Sequence, residues 1–376
     1  MRAWPAGLLL ITVLGCVSDE GAGTTAAPRR STELNPMIAL QQRDQPVFGL
    51  YAPRARQRSA GGTEDPGSVK TAPQLAGETI AYERSDFVFI GSMEGGVERA
   101  LPAFTEFMSA MRDAGGTAKT HPLVVKMQKI SDDPDAVAHI GQQLNAGVSA
   151  IVFVGVESVE ELRLGLDAMR FGSNGGTRRD DVGWAPTYWN LTEEDYRTRA
   201  DLWPLNPDGA LLNHTIIESH EGLAHVREIA AVPGIGVLWP GAGTLRRLFS
   251  STDADARRQV DMEAWETAIQ QVLSACQEFD IACGYPANAE DIETRLRQGF
   301  SVFVMNWGEN GFDTVEKGRR RSLGFLPRCP SGRRCFLGHS PPGCSLVAPC
   351  QPNTSTGNRP GSFFARSGHP QAGFAH

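Results

Sequence analysis

Eight apolar runs, each followed by an amphipathic segment, recur between residues 47 and 306, and this rhythm limits the fold more than any other feature of the chain. The runs span 47–51, 86–90, 122–127, 150–156, 211–217, 235–239, 281–285 and 301–306. After the second, Leu101, Phe104, Met108 and Met111 recur at helical spacing. Asn145-Ala146-Gly147 gives a helix stop before the fourth run. Ser158 and Glu161 form a capping-box pattern after it, each side chain expected to satisfy the other's backbone N–H. Strands that are apolar almost throughout, each separated by a helix, imply a parallel sheet covered on its outer face. Eight such units in order predict a closed (β/α)8 TIM barrel over residues 45–320. No G-x-G-x-x-G follows the first run, which argues against an open dinucleotide-binding sheet. The rhythm breaks over residues 172–208, a loop long enough to be expected to carry function.

Charge divides the chain unevenly. The net charge is −7, yet from Lys317 onward one Lys and eight Arg stand without an acid, so this stretch carries +9 and the remainder −16. The stretch is also rich in Pro, Gly and Ser, so residues 321–376 are expected to be a disordered basic tail. Its Cys329, Cys335, Cys344 and Cys350 lack the C-x2-C spacing of a zinc site; a disulfide cluster is the alternative. Cys276 and Cys283 are expected to be buried apolar residues, not a bridge. The overall acidity excludes a nucleic-acid footprint.

At the other end, residues 1–16 read as an export signal. Arg2 precedes the apolar stretch from Leu8 to Leu14, too short to span a bilayer as a mature helix. Val13-Leu14-Gly15-Cys16 resembles a bacterial lipobox, so the expected product is exported and touches a membrane surface only through a lipid anchor. Residues 17–44 would then be a tether. A cytoplasmic enzyme is the alternative.

In a barrel of this kind the chemistry gathers at the C-terminal strand ends. The residues expected there are Ser92, Glu94, Lys126, Glu157, Glu218, the 241–244 turn, Tyr285, Asn306 and Trp307. Glu218 closes an apolar run just before a helix start and can ligate a divalent cation through hard oxygen. Equally, it can be a helix cap or first-turn acid favoured by the dipole. Gly241, Ala242, Gly243 and Thr244 can present backbone N–H groups to a carboxylate or oxyanion, or simply form a turn needing positive φ. Lys126, polar in an apolar run, can anchor a substrate carboxylate or extend to water.

The stretch Ile216-Ile217-Glu218, Glu221-Gly222-Leu223, Glu228 to Ile235, then Gly241 and Leu245 resembles the signature of the HpcH/HpaI aldolase/citrate lyase family. Asn145-Ala146-Gly147, Val156 to Glu161, and Gly176 to Arg179 with Tyr188 extend the similarity across most of the barrel. The resemblance implies a barrel of the phosphoenolpyruvate/pyruvate-domain type and a lyase acting on small 2-oxo acids and aldehydes. It implies a divalent ion (Mg2+, Mn2+ or Co2+) that stabilises an enolate, and a homo-trimer or hexamer. Residue by residue, Glu218 matches the first metal ligand, while Thr244 stands where the family has Asp. Lys126 stands at the family's arginine position, and Glu94 or Gly95 replaces its His. Lys126 and Glu94 are therefore the candidate catalytic residues, Glu218 and Thr244 the candidate metal ligands, and Gly241, Ala242 and Gly243 the candidate substrate-binding residues. A non-catalytic, lipid-anchored barrel that binds a small carboxylate is the alternative function.

Overall fold

The computed structural model describes residues 34–56, 69–252 and 258–322. Eight strands carry the architecture: β1 Val47–Tyr51, β2 Phe87–Ile90, β3 Leu123–Lys126, β4 Ala150–Phe153, β5 Leu211–Ile217, β6 Val237–Pro240, β7 Ala282–Pro286 and β8 Val302–Met305. Each pairs in parallel with the next, and β8 returns to β1 with Val47 opposite Val302 and Leu50 opposite Met305. Helices lie between the strands, so this is the closed (β/α)8 barrel expected. β4 stops at Phe153, earlier than its apolar run, because Gly155 takes φ +57° and turns the chain.

The continuous apolarity of the strands reflects burial on both faces. In β5, Leu212 and Ile216 point into the barrel with Val152, Val237 and Trp239, while Leu211 and Ile217 join the layer beneath the helices. Fully burying each such side chain contributes about 1.5–3 kcal/mol. At the N-terminal end the interior is plugged by helix Pro36–Gln42, whose Met37 and Ile38 enter the inner cluster. Asn35 fixes this plug: its Oδ1 accepts from Met37 N–H at 3.1 Å and its Nδ2 donates to the Ala210 carbonyl at 3.0 Å. Residues 35–44 thus belong to the barrel and not to the tether expected over 17–44.

Three further expectations are corrected. The 172–208 segment holds helices Ala185–Trp189 and Glu193–Arg199 and a short strand, Leu202–Trp203, beside the start of β5. Preceding a strand, it covers the N-terminal end of the barrel. Tyr188 donates to the His121 carbonyl at 2.8 Å and the Trp189 indole to that of Gly147 at 3.0 Å, both just ahead of strands. Arg178 is buried there, over the Phe171 ring at 4.2 Å and donating to Asn145 Oδ1 at 2.9 Å. The segment is therefore structural. Second, Cys276 and Cys283 form a disulfide, their Cα atoms 5.6 Å apart, within the span a bridge needs. Third, Ser158 caps its helix by accepting from Glu161 N–H at 3.1 Å, but the Glu161 carboxylate accepts from Glu157 and Ser131 instead of closing the box.

The barrel ends on helix Glu309–Ser322, so the basic stretch begins inside the fold: Arg319 donates to Asp86 at 2.8 Å beneath β1. The export signal, the lipobox and the four tail cysteines lie outside the described residues. Among the described residues no helix is long and apolar enough to cross a membrane.

Candidate active site

The strand ends of the C-terminal face enclose a cavity of about 340 Å³. Glu94, Lys126, Glu218, the whole 241–244 turn and Arg247 line its polar side, over a base that includes Ile216 and Trp239. The candidate catalytic residues, metal ligands and substrate-binding turn of the sequence thus meet at one mouth. A second cavity of about 500 Å³ adjoins it, sharing Tyr51, Phe89, Glu94 and Lys126, with Ser92 on its wall.

Glu218 owes its position to two glycines. The residue after it, Ser219, caps helix His220–Ala224 by accepting from Gly222 N–H at 3.0 Å, so Glu218 is neither cap nor first-turn acid. Its carboxylate lies against Gly241, where a Cβ would stand 2.5 Å from Oε2 and 2.4 Å from the Glu218 Cβ. It also faces Gly155, where a Cβ would lie 3.8 Å from Oε1 and 3.5 Å from the Lys129 stem. Gly241 has φ −73°, an ordinary value, so its lack of a side chain admits Glu218 and no positive φ is involved. Among the described residues Glu218 receives no hydrogen bond and forms no ion pair.

Two ion pairs lie near Glu218. Lys126 Nζ donates to Glu94 Oε1 at 2.8 Å across the mouth from β3 to the turn after β2. Lys129 holds Glu157, and this hydrogen bond, aided by one from Ser219, keeps the Glu157 carboxyl below the usual range. Glu157 is therefore committed to Lys129 and does not line the mouth. Tyr285 belongs to the outer layer, where Arg295 donates to its hydroxyl at 3.1 Å, and Trp307 packs against Tyr82 and Phe312.

Reasoning from sequence missed Arg247 and Tyr51. Arg247 sits one helical turn beyond Thr244 and donates to the Thr244 hydroxyl at 3.0 Å, which places a guanidinium at the rim. The only sequence signal was its spacing of three from Thr244 on a helix. Tyr51 closes β1 beside Phe89, ring centroids 4.7 Å apart. Burial pushes its phenol up, and the charge of Glu94 adds to this while Arg54 opposes it.

No family model matches the chain. It is 28% identical over 276 residues to a hydroxypyruvate/pyruvate aldolase of Delftia acidovorans, covering 72% of this chain and 85% of that protein. A solved HpcH/HpaI aldolase/citrate lyase family protein from Burkholderia cenocepacia J2315 superposes with a TM-score of 0.52 at 19% identity, over 76% of this chain and 97% of that one. The chain shares the barrel fold of that protein. An HpcH/HpaI aldolase from Desulfitobacterium hafniense DCB-2 gives the same TM-score at 14% identity, over 77% and 97% of the two chains. Within this shared barrel, Glu218 and the turn that admits it occupy the C-terminal mouth.

Proposed function

We propose that the chain is a carbon–carbon lyase of the aldehyde-lyase type, cleaving or joining a small 2-oxo acid and an aldehyde. The observation that carries this reading is Glu218: an unpaired carboxylate at the mouth, seated between Gly155 and Gly241, in the stretch whose sequence resembles the family signature. The Delftia relative's name supports the substrate class.

The resemblance implies a divalent ion, and the donor set bears on how one would be held. Among the described residues no group of three or more His, Cys, Asp or Glu converges. Glu218 would be the charged ligand, and Thr244 offers a neutral hydroxyl already engaged by Arg247. These residues fit an ion that shares its coordination with the substrate, as small hard cations do. When bound, such an ion would supply Lewis-acid polarisation of the oxo acid.

The chain's own groups divide the remaining work. The Lys126–Glu94 pair faces the same cavity as Glu218, so the ammonium can add positive charge beside a bound oxo acid while it holds Glu94 in place. Glu94 can accept the proton that the 4-hydroxyl must lose as the C–C bond breaks. Ile216 and Trp239 keep the base of the cavity apolar, which strengthens the polar contacts above it. The Cys276–Cys283 bridge supports export to an oxidising compartment, and the resemblance supports a homo-trimer or hexamer, measurable by light scattering.

The test is turnover. Purified protein with Mg2+, Mn2+ or Co2+ should release pyruvate from a 4-hydroxy-2-oxo acid, read through a coupled reduction of pyruvate. Glu218→Gln should lower this at least about 100-fold with the circular dichroism spectrum unchanged. Absence of turnover on a panel of such acids with all three ions would reject the reading.

A further inference from the structure

We propose that this barrel does not hold a divalent ion alone, and that ion and 2-oxo acid bind as a coupled pair, with Glu218 as the protein's single charged ligand and Arg247 as the cation that receives the acid. The proposal deepens the lyase reading and rests on it.

Two carboxylates line the mouth, and only one is free. Glu94 is drawn to Lys126 at 2.8 Å, so using it as a ligand would cost an ion pair. Glu157 is likewise bound to Lys129. Thr244 stands at the position where the resemblance places a second acid, and its hydroxyl accepts the Arg247 N–H at 3.0 Å. A hydroxyl is a poor ligand for a hard dication, and this one lies beside a guanidinium. An Asp at the same place would attract both the ion and Arg247.

Charge points the same way. Glu94, Glu218, Lys126 and Arg247 are the charged residues of the cavity wall, so its lining is formally neutral. A dication entering alone meets no net attraction and approaches a guanidinium. A 2-oxo acid changes both conditions: it brings a negative charge, and its carboxylate and oxo oxygens supply ligands that the protein lacks. The guanidinium, a planar fork suited to carboxylate, then becomes an asset. The lysine at the family's arginine position has no such fork and is engaged by Glu94. Arg247 thus provides, from the helix after β6, the geometry missing at β3.

Coupling of this kind is reciprocal: the factor by which the acid tightens the ion equals the factor by which the ion tightens the acid. Calorimetric titration of the full chain with Mn2+, without and with saturating oxalate as a planar analogue of the oxo acid, measures one factor. Titration with oxalate, without and with Mn2+, measures the other. Mn2+ alone should bind no tighter than about millimolar, and oxalate should tighten it at least about 100-fold, with the two factors equal. Thr244→Asp should tighten Mn2+ alone by about tenfold or more, and Arg247→Met should shrink the oxalate factor by about tenfold. The spectrum of protein-bound Mn2+ should appear in wild type only when oxalate is present.

Micromolar Mn2+ binding by wild type without oxalate overturns the proposal. An oxalate factor near one, no binding of either ligand, or an Arg247→Met factor equal to wild type does so too. The lyase reading fails separately. Coupled binding without turnover rejects catalysis and keeps this proposal, whereas turnover with tight stand-alone Mn2+ does the reverse.

Discussion

At the residue scale the site depends on what Gly241 lacks. A Cβ there would stand 2.5 Å from Glu218 Oε2 and 3.0 Å from Ile216 Cγ2, so Gly241→Ala must push the carboxylate aside or move the turn. Gly243, two residues on, has no neighbour within 4 Å of such a Cβ. Gly241→Ala should therefore lower turnover, or oxalate-dependent Mn2+ affinity, at least about tenfold and cost about 1–3 kcal/mol of stability. Gly243→Ala should cost no stability, and an equal loss of stability in the two variants would refute the steric account. Glu218 was legible in the sequence because it closes an apolar run ahead of a capping Ser. The reason for Gly241 was not: a glycine in a turn suggests positive φ, whereas the constraint here is a contact with a strand 23 residues earlier. Arg247 was hidden similarly, as a basic residue near a helix end, where such residues are common for dipole reasons.

At the element scale, periodicity placed the strands because burial on both faces leaves a run of apolar residues whatever the partners are. It could not place the cross-links. Helix Met262–Glu278 ends at Phe279, and Asp280 takes φ +53°, reversing the chain so that Cys283 on β7 returns beneath Cys276. A separation of seven residues says nothing of that reversal. The bridge ties the helix to the strand that delivers Pro286 to the mouth. A closed loop this short restrains the unfolded chain by about 2.5 kcal/mol on the chain-entropy account. The Cys276→Ala, Cys283→Ala double variant should lose about that much in urea denaturation, and a reductant should lower the wild-type midpoint but leave the variant's unchanged. Free thiols at Cys276 and Cys283 in the folded wild-type protein, read by mass mapping of alkylated peptides, would remove the basis of this expectation. The 172–208 segment shows the same limit of sequence reasoning. Its length suggested function, but its place ahead of β5 puts it at the end of the barrel away from the mouth.

At the scale of the whole molecule, the barrel interior that supports the mouth also sets its tolerance of acid. His214 sits inside on β5, its ring 5.7 Å from that of Trp239 and 6.4 Å from that of Phe87. Neither ring nitrogen has a partner among the described residues, and burial pulls its pKa down to about 3. In the unfolded chain it titrates near about 6.5. Between these values the unfolded state binds the proton and the folded state does not, so stability is full above the unfolded pKa and falls as pH drops below it. From pH 7 to pH 5 the loss from this residue is about 2 kcal/mol. His121, also lowered by burial against the opposing charge of Glu83, acts in the same direction. The Asp201 carboxyl is held below its ordinary value: burial raises it, but the hydrogen bonds from Arg170 and Asn206 outweigh that, so its contribution is lost only as pH falls below the usual carboxylate range. His214→Leu should therefore remove the larger part of the stability difference between pH 7 and pH 5, measured as urea midpoints at the two values. An undiminished difference in the variant would mean that the acid sensitivity arises outside the barrel interior. A diminished one would show that the apolar layer beneath Glu218 excludes the proton as well as water.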